Sequence, residues 1–417
     1  MHARSEASTS DQLAQESTVM NLLVITNLYP PQELGGYGRS IADFVWGLQK
    51  RGHRVQVISS DAPHLGASSS KGPNNEEVDR RLQLKGTYEG GVKQLQDRQA
   101  LDAIDTANTA LMNTWLSQGH WDGVLIGNLD LIGPELLPRL LERPIPVQHH
   151  VGFVHPPFPA NLWPHQGSYR MAAASQAVRQ ALTDAGLLVE EEAVIYPGAR
   201  IDLFGYSVTG MPRPLPATGS PDRPLKVCFA GLLMASKGAH TLVEALIRLQ
   251  QQGLAIQASL AGDKFQSGYQ EQLEQLLIRH GLADMVQFVG QLNRQTLARF
   301  YALHHVGVFP SIHPEAFGIV AAEMMASGLA LITSGVGGAA ELIDDGITGL
   351  RFAAGDSDAL SECLKRLILQ PEFTVNLATQ GRKRVVEKFS VMVAAEQLEE
   401  WFKRESFHIR NQPVTKF

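Results

Sequence analysis

Cysteine is almost missing from this chain. Two in 417 residues, Cys228 and Cys363, lie far apart in apolar contexts. They offer neither the spacing of a metal-ligand set nor a disulfide framework, so a reducing, cytoplasmic compartment is expected. Long apolar runs are missing too, none reaching the ~18 residues of a membrane span. Positive charge is not in excess: the net charge is -6, without the basic face that nucleic-acid binding demands. The acidic surplus lies in residues 1–202, a poor match for an anionic lipid surface, so peripheral membrane contact is not indicated. The first nineteen residues, MHARSEASTSDQLAQESTV, lack the apolar centre of a secretory signal. They read as a disordered tail, with Met20 an alternative start.

What is present is an ordinary globular composition, 44% apolar and 19% charged, in a chain long enough for two or three domains. MNLLVITNLYPP opens with a short apolar strand of the kind buried on both faces of a parallel sheet. QELGGYGRS follows as a glycine-rich turn, IADFVWGLQKRG as a helix and HRVQVISS as a strand, which together make a right-handed parallel unit. Further strands are expected at DGVLIGN, IPVQHHV and EEAVIYPG, and GASSSKGPNN (66–75) reads as a mobile loop. Residues 205–224, rich in proline and glycine, form a linker. Strand and helix then alternate again from LKVCFAGLL to GAAELID. The expected fold is therefore α/β, two doubly wound Rossmann-like domains facing a central cleft, where ligands collect at the carboxyl ends of the strands. The divisions are a tail at 1–19, a first domain at 20–204, the linker at 205–224, a second domain at 225–388, and a last helix at 389–417 packing back toward the first domain.

Three loops in the second half point to an anion. In HPEAFGIVAAE, Phe317, Gly318 and Ile319 fall at a helix start, where unpaired backbone N–H groups face outward. Glu315 lies in the loop before it, and Glu323 lies inside an apolar helix, where a carboxylate needs a partner. That stretch alone is equally compatible with two solvated glutamates. In AGLLMASKGAH, Lys237 and Gly238 open another helix, and a cation there opposes the helix dipole unless an anion sits beside it. SGVGGAAE opens the helix expected to contain Glu341. Three such starts at strand ends suit a diphosphate. DSD at 356–358 reads as a helix cap, so no metal site is expected.

Residues 225–390 closely resemble the donor domain of glycosyltransferase family 4. The motifs are the loop from Gly231 to Gly238, LAGD, VQFVG, FPS, the Glu-x7-Glu of Glu315 and Glu323, and GGAAELI. The resemblance implies a retaining enzyme of GT-B fold that takes a nucleotide-diphosphate sugar as co-substrate, with no cofactor or metal. It gives Glu323 to the ribose, Glu315 to the transferred sugar, the amides around Phe317–Ile319 to sugar and phosphate, and Lys237 to the diphosphate. In the first half it implies that Gly35 and Gly36 approach the diphosphate and acceptor, and that His150 faces the donor sugar while His149 turns away. One position departs: the family's usual arginine after Gly231 is Leu232 here. The acceptor is unspecified (a sugar, a lipid-linked acceptor or a small molecule). A nucleotide-sugar epimerase and a non-catalytic nucleotide-sugar binding protein remain as alternatives.

Overall fold

The computed structural model describes residues 19–156, 158–165, 167–205, 209–210 and 214–411. The tail expected at 1–19 lies outside the described residues except for Val19, as do 206–208 and 211–213 of the linker segment and 412–417 of the last segment.

The first unit runs β1 (Asn21–Ile25), α1 (Tyr37–Lys50), β2 (Arg54–Ser60), β3 (Val78–Leu82), β4 (Gly86–Thr87), β5 (Lys93–Gln94), α2 (Arg98–Gln118), β6 (Gly123–Ile126), α3 (Leu137–Leu141), β7 (Val147–Val151), β8 (Tyr169–Ala173) and α4 (Gln176–Asp184). Its six-stranded sheet has the order β3-β2-β1-β6-β7-β8, all parallel, with β4 and β5 forming a separate antiparallel pair. Alternation along β1 decides which helix covers which face. Leu22 and Val24 pack with Ile41, Phe44 and Val45 of α1. Leu23 and Ile25 pack with Met112 and Leu116 of α2 on the other side.

The second unit repeats the plan with β9 (Leu225–Ala230), α5 (Ala239–Gln251), β10 (Ile256–Ala261), α6 (Tyr269–Arg279), β11 (Val286–Gly290), α7 (Arg294–Ala302), β12 (Val306–Phe309), α8 (Ile319–Ala326), β13 (Ala330–Thr333), β14 (Leu350–Arg351), α9 (Ser357–Leu369) and α10 (Pro371–Lys388). Its parallel order is β11-β10-β9-β12-β13-β14. The order of the strands reverses beside the first strand of each sheet, so crevices open at the carboxyl ends of β1 and β9. α11 (Val391–Asn411) returns to the first unit. There Ala394, Leu398, Trp401 and Phe402 complete the core beneath α1, and Glu399 pairs with Arg51.

Several local expectations changed. β3 and β8 are strands whose polar residues hide their alternation. EEAVIYPG instead makes a short turn and a single bridge from Val194 to Ala173. GAAELID forms only the four-residue 3-10 turn Gly338–Glu341. The 66–75 loop is pinned at its end by Glu76, which is buried and accepts a hydrogen bond from Tyr29.

The crossing between units also lies earlier than residue 205. Ala199 and Phe204 already belong to the second unit's core. Ala199 pairs with Ser390 of the returning chain, donating to Phe389 O at 2.7 Å and accepting from Val391 N at 3.1 Å. Described parts of 205–224 are docked rather than loose: Ala217 joins the second core, and Ala255 N donates to Gly219 O.

Candidate active site

Between the two units lies a cavity enclosing about 1510 Å³ of space open to solvent. Eight of the expected site residues line it together: Gly35, Gly36, Gly231, Lys237, Glu315, Phe317, Gly318 and Ile319. Gly36 follows β1 at the entry to α1, and a Cβ on it would come 2.9 Å from Ile319 Cγ2, so the two units touch there through backbone and methyl. Gly318 caps α8 with left-handed geometry, which turns the first N–H groups of that apolar helix toward the cavity.

Lys237 ends a short turn after β9, and Gly238, set just behind the wall, caps α5. The Lys237 ammonium donates to Glu315 Oε1 at 2.6 Å, and Ser311 Oγ donates to the same oxygen at 2.6 Å. A cation and a carboxylate, both partly open to the cavity, are thus held in contact at the ends of β9 and β12. Leu232 lines the wall beside them. Asp356 caps α9, accepting from Ala359 N at 2.9 Å. Among the described residues, no three His, Cys, Asp or Glu side chains come together in a way that could hold a metal ion.

Glu323 is not on the cavity wall. It is fully buried on α8, and burial pushes its pKa up against the pull of Arg294 and Arg39. Arg39, four residues after Gly35, does line the cavity and lies 3.9 Å from Glu323 Oε1 and 3.2 Å from Glu33. Arg39, Glu33, Asp43 and Arg294 were absent from the sequence reading. For Arg39 a signal existed: it is a cation in the first turn of a helix with no acidic residue there, the same anomaly that drew attention to Lys237.

His150 requires a correction. It is completely buried, edge-on to Phe44 at 4.9 Å, and donates from Nε2 to Ile195 O at 2.8 Å. Burial holds its pKa at about 4. His149 does point the opposite way, bonded to Tyr169 and stacked on Trp163, but it too is buried. Neither ring lines the cavity. Only the chain beyond Val151 reaches it, and the residue there is Gly152. Alternation gave the faces of the strand correctly but could not locate its end.

Glu341 takes a different part from the anion loop expected of its segment. Its carboxylate accepts from Gln176 N (3.0 Å), Ala177 N (2.9 Å) and Tyr196 Oη (2.7 Å), capping α4 of the first unit from the second. Burial, then Glu341 itself, push the Tyr196 pKa up.

Comparison with known proteins agrees with this geometry. Residues 215–384 match the family Glycosyl transferases group 1. Glycogen synthase of Mycobacterium tuberculosis is 25% identical over 404 residues, covering 90% of this chain and 92% of the relative. Alpha-D-kanosaminyltransferase of Streptomyces kanamyceticus is 26% identical over 285 residues, covering 64% and 72%. The crystal structure of Anabaena HepE in complex with UDP superposes with a TM-score of 0.72 at 20% identity, over 92% of this chain and all of that one. The chain is an enzyme that transfers sugars, a glycosyltransferase with two Rossmann-like domains in the GT-B arrangement.

Proposed function

We propose that this protein is a retaining, metal-independent hexosyltransferase of glycosyltransferase family 4, cytoplasmic, taking its sugar from a nucleotide-diphosphate donor. The acceptor is a sugar, a lipid-linked compound or a small molecule. The observation that carries the reading is the contact of Lys237 with Glu315 beside the start of α8, at the ends of β9 and β12. A cation and outward N–H groups at one end of a cleft suit a diphosphate, and a carboxylate in contact with that cation suits the hydroxyls of the sugar next to it.

In this reading the diphosphate lies against Lys237 and the amides of Gly318 and Ile319, the hexose reaches Glu315, and the ribose lies toward Glu323, which sits behind the cavity wall. The bond from the anomeric carbon to the phosphate oxygen breaks, its electron pair going to the phosphate. Lys237 and the α8 dipole stabilise that charge as it develops, which is what makes them catalytic rather than merely adhesive. The acceptor oxygen bonds to the anomeric carbon on the face being vacated, and its proton passes to the departing phosphate oxygen. Configuration is retained without a protein nucleophile. Arg39 adds positive charge from the first unit, on the side of the cleft facing Leu232's half.

Release of nucleoside diphosphate from UDP-, GDP- and ADP-hexoses, with and without mixed acceptors and with excess chelator, tests this. Acceptor-stimulated release that persists in chelator, with an α-linked product from an α-linked donor, is expected. Activity restored only by manganese or magnesium would overturn metal independence. Binding without release from any donor would overturn transfer.

A further inference from the structure

Glu323 carries an oxygen that nothing among the described residues satisfies. Both neighbouring arginines address Oε1, Arg294 Nη2 at 3.4 Å and Arg39 Nη1 at 3.9 Å. Oε2 is buried and has no hydrogen-bond partner. The hydroxyl of Tyr301 is likewise buried and unpartnered, and burial followed by the Glu323 carboxylate push its pKa well up. Buried polar atoms are rarely left bare, so this corner is built for a ligand's hydroxyl groups.

Arg294 is itself held from across the domain gap. Its terminal nitrogens form a fork on Asp43 of α1, Nη1 to Oδ1 at 2.6 Å and Nη2 to Oδ2 at 2.6 Å. Asp43 is 1% exposed as a side chain and is anchored in turn by Arg200 at 3.5 Å, whose guanidinium lies 3.6 Å over the Trp46 ring. Burial works to lower the pKa of Arg294, and Asp43 with Glu323 outweighs it, so the cation is firm. A planar guanidinium seated on a carboxylate by two parallel bonds has essentially one orientation. Its shared Nη2 therefore has one place from which to hold Glu323 Oε1, leaving Oε2 without a bond from either arginine.

We infer that Arg294 is a positioning residue for Glu323 and that Asp43 sets Arg294 from the opposite domain, so that the ribose-binding carboxylate is correctly oriented only when the two domains are together. The inference rests on the assignment of Glu323 to the ribose. Its consequence is specificity: recognition of the ribose hydroxyls is coupled to closure, and a nucleotide lacking them gains nothing from it.

The test compares UDP, GDP and ADP with their 2′,3′-dideoxy counterparts by calorimetry, the ratio of the two affinities reporting hydroxyl recognition alone. Glu323→Gln should cut the wild-type ratio by about tenfold, as expected for loss of hydrogen bonds to a charged group. A ratio unchanged by Glu323→Gln, or no binding of any of the three diphosphates, overturns the ribose assignment and the inference with it. Where Glu323→Gln does lower the ratio, Asp43→Asn and Arg294→Lys should each lower it by roughly fivefold, with dideoxy affinity within about twofold of wild type. Variants that keep the wild-type ratio, or lose affinity for both ligands in parallel, overturn the positioning role and leave the ribose assignment standing.

Discussion

Lys237 and Glu315 are bound to each other at 2.6 Å, yet they belong to different loops, one after β9 and one after β12. Each therefore sets the other's position in the cleft. In the proposed reading, a diphosphate competing for the ammonium would release Glu315 toward the sugar and so link donor entry to sugar recognition through one contact. Lys237→Met should lower turnover by roughly 10²–10³, the range seen when one donor to a developing oxyanion is removed. Steady-state kinetics with the true donor checks this. A kcat within a few-fold of wild type would show that the helix-start amides carry the leaving group alone.

The adjacent buried histidines His149 and His150 predict a pH dependence of stability rather than of catalysis, and His304, which burial holds at about 4, adds to it. Burial lowers His149 to about 3 and His150 to about 4, against about 6.5 in an unfolded chain. Between those values the unfolded chain binds the proton and the native protein does not. Their stabilisation is complete above about pH 6.5 and is lost as pH falls toward 4, roughly 2 kcal/mol for each by pH 5. Asp130 opposes them, since burial raises it to about 6, and protonation near pH 5 returns on the order of 1 kcal/mol. Denaturant midpoints should therefore fall between pH 7.5 and 5. A flat profile would contradict the burial of the pair.

Closure should pivot where Ala199 pairs with Ser390. Saturating donor with an acceptor analogue is expected to reduce the radius of gyration in solution scattering, because transfer requires water to be excluded. Gly198 sits at the pivot with φ 76, and a Cβ there would lie 2.6 Å from the Ser390 carbonyl carbon. Gly198→Ala should cost about 1–2 kcal/mol and weaken the donor-induced compaction. Wild-type stability and compaction in that variant would move the pivot elsewhere.

What the sequence disclosed follows from where its signals lie. β1, β6, β9 and β12 are short apolar runs, with glycine directly after β6 and β9, so the two sheets and their carboxyl ends were legible. Lys237, Glu315 and Gly318 sit in the loops that follow β9 and β12, and their placement on one cavity wall needed only the strand order. β3 and β8 escaped because VDRRL and YRMAA carry charges that mask alternation. The domain crossing was placed at proline and glycine, whereas Phe204 and Ala217 show that much of that stretch packs on the second core. The chain Arg39, Glu323, Arg294, Asp43 was not legible as a set, because its members come together only across the cleft, with Asp43 and Arg294 separated by 251 positions.

In the proposed reading two glutamates divide the donor between them. Calorimetry with the nucleoside diphosphate, alongside kinetics with the full donor, tests it in two variants. If Glu323 holds the ribose, its contact is similar in ground and transition states, and Glu323→Ala should weaken diphosphate binding by about 1.5–3 kcal/mol. In the proposed reading Glu315 meets the sugar and competes with the diphosphate for Lys237, so Glu315→Gln should lower turnover without weakening diphosphate binding. Equal loss of diphosphate affinity in both variants, or loss in neither, would contradict the division.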